Sequence, residues 1–163
     1  MTIAFLNHRP TRSAGSLGIH VLVTIFITLA ANGVVFALGW AGSSPDAARH
    51  NWLLPPGWVV GTVWLVLLTL LAVAYWWLAS ADGSDARRAA PWVIALIAFC
   101  LAYPFYTVGF SNIAMELIGN VATIAGAALL ARRALRFSLF AASPIALVAV
   151  WVSYATFATV AGR

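Results

Sequence analysis

The chain has no lysine and only four acidic residues, and charged side chains make up 8% of its 163 residues. A water-soluble domain carries about 25%. With 63% hydrophobic residues and a mean hydropathy of +0.96, this chain cannot clothe a water-facing surface, so it is read as a membrane protein. Its one cysteine, Cys100, excludes an intrachain disulfide and reads as a small buried apolar group. No phosphate loop, HExxH or CxxC motif occurs. The three histidines, His8, His20 and His50, lack ligand spacing, so no metal site is expected. No Asp, Glu or Lys falls in the middle of an apolar run, which argues against an ion-coupled carrier. The net charge of +5 is too sparse and too divided for a nucleic-acid footprint.

What is present is apolar length. Runs at about 17–40, 57–80, 91–110, 114–131 and 139–160 each approach the ~20 residues that cross a ~30 Å hydrocarbon core as a helix. The expected fold is all-α: a single domain, 1–163, made of a bundle of five transmembrane helices, with 41–56 as a lid loop. The first run is read as a span rather than a signal peptide. "ADGSDARRAAP" reads as a polar turn, with Pro91 and Trp92 opening the third span. All nine basic residues are arginine. Arg9, Arg12, Arg87, Arg88, Arg132, Arg133 and Arg136 fall on one side of a five-span topology, and Arg49 and Arg163 on the other. That bias predicts the N-terminus inside and the C-terminus outside. A bacterial inner membrane is the default setting.

The aromatic content is eight Trp, nine Phe and four Tyr. Trp40, Trp52, Trp58, Trp76, Trp77 and Trp92 fall near span ends and fit an interfacial belt. Trp64 and Trp151 lie deeper, where an indole either packs in the core or walls a pocket for a flat apolar ligand. Glu116 sits in the first turn of the fourth span, where it suits the helix dipole. Two small-residue pairs, Ala98 with Ala102 and Ala122 with Gly126, fit close helix packing within the bundle, or else a homodimer seam.

The stretch "WLLPPGWVVGTVW", 52–64, carries a W-x-x-P-P-x-W-V-x-G-x-V-W pattern that resembles the first-loop to second-helix signature of the TspO/translocator protein family, also called tryptophan-rich sensory protein. "WVSYATFAT", 151–159, resembles the family's last helix. The resemblance runs from about Trp52 to Thr159. It departs at Leu68, where the family often has Tyr, at Leu101, Ala102 and Phe105 in place of L-N-x-x-W, at Leu147 and Val148 in place of Pro-Tyr, and at Thr159 in place of Asn. The chain thus looks like a divergent bacterial member. The resemblance implies a five-helix bundle, often a homodimer, whose pocket opens towards the first loop. It also implies ligands such as protoporphyrin IX or haem-pathway porphyrins, sterols or isoquinoline-type compounds. No cofactor is required. Light-dependent porphyrin breakdown, ascribed to some members, would make Trp64 and Trp151 the catalytic candidates.

Pro55 and Pro56 fix the backbone where the loop enters the second span. Positions 58 and 64 lie about 120° apart on a helix, so Trp58 is free to be an anchor alone. Trp151 and Tyr154 share a face. The expected ligand site therefore comprises Trp52, Trp58, Trp64, Leu68, Phe105, Trp151, Tyr154 and Ala155, with Arg49 and His50 in the lid positioned to pair with a propionate. Three functions compete: a tetrapyrrole sensor or carrier, a light-dependent porphyrin-degrading enzyme, and a structural membrane subunit without a small ligand.

Overall fold

The structure, a computed structural model, describes residues 13–40, 53, 55–107 and 113–161. Five helices follow one another: α1 Ala14–Ala37, α2 Gly57–Ala79, α3 Ser84–Thr107, α4 Ile113–Ala134 and α5 Leu139–Ala161. Each is long and apolar enough to cross a membrane. Helices α2, α3, α4 and α5 pack as a closed ring, in which α2 touches α3 and α5, and α4 touches α3 and α5. Helix α1 lies outside the ring against α2 and only grazes α3. The described part of the expected lid is limited to Leu53, Pro55 and Pro56; Arg49, His50 and Trp52 lie outside the described residues.

Helix boundaries follow local chemistry. Gly39 adopts φ 71° after α1, and the amides of Gly39 and Trp40 return to the carbonyls of Phe36 and Val35. That glycine-capped ending satisfies two carbonyls the helix would otherwise leave open. Helix α2 begins directly after Pro56, whose missing N–H is no loss there. Helix α3 departs from expectation: it starts at Ser84, not at Pro91, and Pro91 and Pro104 both lie inside it. The polarity of residues 84–90 marks the interfacial end of a helix rather than a turn. Asp85 sits in the first turn, while Ala86, Ala89 and Ala90 are buried. Alanine is the best helix former, and neighbouring helices sustain the backbone where a proline interrupts it.

The packed core occupies one half of the ring. Leu67, Leu68, Leu71 and Leu78 of α2 meet Val93, Leu96 and Cys100 of α3, Ala127 and Ala131 of α4, and Ile145, Val148 and Val152 of α5. Many of the buried positions are alanine, which lets backbones approach closely where no aqueous hydrophobic effect drives association. This half lies towards the α2–α3 and α4–α5 connections, the end that bears Arg87, Arg88, Arg132, Arg133 and Arg136. The opposite half holds a cavity instead.

The small-residue pairs do not serve the interior. Ala98, Ala102, Ala122 and Gly126 are all exposed on the outer faces of α3 and α4. Close packing inside the bundle falls instead to other alanines and to Gly119, where an added Cβ would collide with the ring of Tyr106.

Candidate functional site

The half of the ring away from the arginines holds a cavity of about 190 Å³ lined by residues of four helices. Pro55, at the entry to α2, leads to Val60 and Trp64, spaced one turn apart on the same face. From α5 come Trp151, Val152, Tyr154, Ala155 and Thr159; α3 adds Tyr103 and α4 adds Glu116. Trp64 and Tyr103 lie 6.1 Å apart between ring centroids, tilted by 39°. Trp151 and Tyr154 lie 5.6 Å apart, tilted by 33°. Four aromatic rings from three helices thus converge on one space.

Two hydrogen bonds close the mouth. The Tyr154 hydroxyl donates to the Leu53 carbonyl at 2.6 Å, pinning the chain just before the double proline onto α5. The Thr159 hydroxyl donates to Glu116 Oε1 at 3.2 Å, tying the end of α5 to the first turn of α4. Glu116 therefore does more than complement the α4 dipole: its carboxylate lines the cavity near the mouth. One turn deeper on α4, Asn120 is fully buried beside the Tyr103 hydroxyl.

The structure brings together Trp64, Trp151, Tyr154 and Ala155 from the expected set. Three others lie elsewhere. Trp58 is 68% exposed and points out of the bundle, as an anchor would. Leu68 shares the Trp64 face but is 2% exposed within the packed core, because the helices close together one turn below Trp64. Phe105 meets Trp40 edge-on at 5.7 Å, joining the end of α1 to α3. Tyr103, two residues earlier and so on the other side of α3, is the residue that helix turns to the cavity. Trp76 is no belt residue either: it is 5% exposed, and its Nε1 donates to Ser16 Oγ of α1 at 2.8 Å.

The double-proline entry to α2 and the mid-depth indoles Trp64 and Trp151 meet at this cavity. The family model for the TspO/MBR family matches residues 21–162. The chain belongs to the TspO/MBR family. The match runs from within α1 to the end of α5 and includes the weakly patterned middle. Neither the curated proteins nor the solved structures provide a match. TspO/MBR membership supports a membrane-embedded ligand-binding or sensing role.

Proposed function

We propose that this TspO/MBR chain is a membrane-embedded binding protein that holds a flat, largely apolar ligand against Trp64, Tyr103 and Trp151, and acts as its sensor or carrier. The observation that carries the reading is the convergence of four rings on a single cavity. Stacking on each ring contributes on the order of 1 kcal/mol beyond area burial. Porphyrins are the class that the motif resemblance implies. A cavity of about 190 Å³ lies below the ~300–1,000 Å³ of pockets that enclose a drug-sized ligand. A tetrapyrrole would therefore enter by one edge. Glu116 repels a carboxylate at its end of the mouth, so the propionate edge would be turned away from it, with Arg49 and His50 the sequence's candidates to receive it.

The test is tryptophan-fluorescence quenching of the detergent-purified chain, titrated with protoporphyrin IX and with a two-ring aromatic such as an isoquinoline. Wild type is compared with Trp64→Phe and Trp151→Phe, in darkness and after illumination. Saturable quenching that weakens in both variants is expected. Equal quenching in all three proteins would place the ligand elsewhere, because exposed indoles such as Trp58 quench non-specifically. New absorbing products formed only in light, and lost in the variants, would turn the reading to the light-dependent enzyme.

A further inference from the structure

Two clefts on the outer side of α3 and α4 join into one groove. The first is apolar, about 490 Å³, and runs between Trp92 and Phe99 of α3 and Ala122, Gly126 and Leu129 of α4. The second, about 560 Å³, lies at the arginine-bearing end and is lined by Arg132, Arg133 and Arg136, with Asp85 and Phe137. Leu129 and Arg133 line both. The chain's own side chains do not fill the groove: a Cβ added at Gly126 would meet nothing within 4 Å. Trp92 and Leu129 are 62% and 68% exposed.

We propose that this groove binds an anionic glycerophospholipid of the surrounding bilayer, its phosphate on Arg132, Arg133 and Arg136 and one acyl chain laid along α4 to Ala122. Charge and length both favour this occupant. Among the described residues, none of the three arginines is in an ion pair, whereas Asp85 is paired with Arg88 at 3.4 Å. Clustered arginines at the cytoplasmic end of a membrane helix attract anionic lipid headgroups. From Arg133 to Ala122 the helix advances about 16 Å, close to the ~15 Å depth of one leaflet's hydrocarbon. A soluble phosphate would use only the arginine end. A second copy docked by two-fold symmetry about the membrane normal would set one arginine cluster against the other.

Native mass spectrometry of the full chain in detergent tests this, with phosphatidylglycerol and phosphatidylcholine of identical acyl chains as probes. One phosphatidylglycerol should saturate the wild type, bound on the order of tenfold more tightly than phosphatidylcholine. The triple variant Arg132→Gln, Arg133→Gln, Arg136→Gln should lose that preference. Gly126→Leu, which fills open space, should weaken both lipids while circular dichroism stays helical. If the triple variant fails to fold, Arg136→Gln alone, at an exposed site beyond α4, should lower the preference by a few-fold. Equal retention of the two lipids by wild type would overturn the proposal, as would displacement of phosphatidylglycerol by glycerol 3-phosphate. A dimer mass without lipid, abolished by Gly126→Leu, would make the groove a seam between copies and overturn it too.

Discussion

Replacing an indole of the cavity with phenyl removes ring face while keeping an apolar wall. Trp64→Phe and Trp151→Phe should each cost about 1 kcal/mol of ligand affinity, a several-fold rise in Kd by equilibrium titration, with little change in thermal unfolding. Gly119 makes the opposite prediction. A Cβ there collides with the Tyr106 ring, so Gly119→Ala should destabilise the fold by about 1–3 kcal/mol, read as a lower melting temperature in detergent. Tyr154→Phe should spare the ring contact with Trp151 and lose only the bond to Leu53. We expect faster hydrogen exchange at the start of α2 and a loss of about 1 kcal/mol; unchanged exchange would deny the hydroxyl its pinning role. At this scale the sequence is legible in part. Trp64 and Trp151 stand out because mid-depth indoles need a reason. Tyr103 does not, because its facing depends on how α3 is rotated in the ring. Glu116 looks like a dipole partner until Thr159, 43 residues away, is seen to reach it.

The helices divide into a ring and an appendage. Helix α1 exposes Ile19, Leu22 and Phe26 and is held to α2 by few polar ties. Trp76 donates to Ser16, and His20 stacks near Tyr75 at 5.2 Å. Hydrogen bonds between membrane helices are worth roughly 0.6–2 kcal/mol. Ser16→Ala should therefore loosen α1 by about that amount, seen as faster exchange or proteolysis within α1, while the ring keeps its stability. Equal destabilisation of all five helices would show that α1 is integral to the ring. The spans themselves were readable from apolar runs because lipid demands helices of that length. The start of α3 was not: the rule that proline opens a helix fails where neighbouring helices support a proline inside one. The end of the cavity is equally hidden, since Leu68 and Trp64 share a face and only packing tells core from wall.

Among the described residues, the bundle is packed solid in one half and encloses a cavity in the other. The packed half is rich in alanine and leucine; the other half places aromatic rings and the Glu116 carboxylate at the level where the double proline enters. From the arginine distribution we propose that the packed, arginine-bearing end faces the cytoplasm, which puts the cavity in the far half of a bacterial inner membrane. A thiol introduced at Ser84, with Cys100 buried, should react with an impermeant reagent only from the cytoplasmic side; labelling from outside would reverse the topology.

On the proposed function, ligand binds in the cavity between α2 and α5. Ala155 lines it, and its small side chain leaves part of that space open. Binding of protoporphyrin IX to wild type and to Ala155→Leu, by equilibrium titration with melting temperature as the control, decides whether ligand binds there. A loss of tenfold or more in affinity, about 1.4 kcal/mol, with an unchanged melting temperature is the predicted result. Undiminished affinity in a folded Ala155→Leu protein would contradict it.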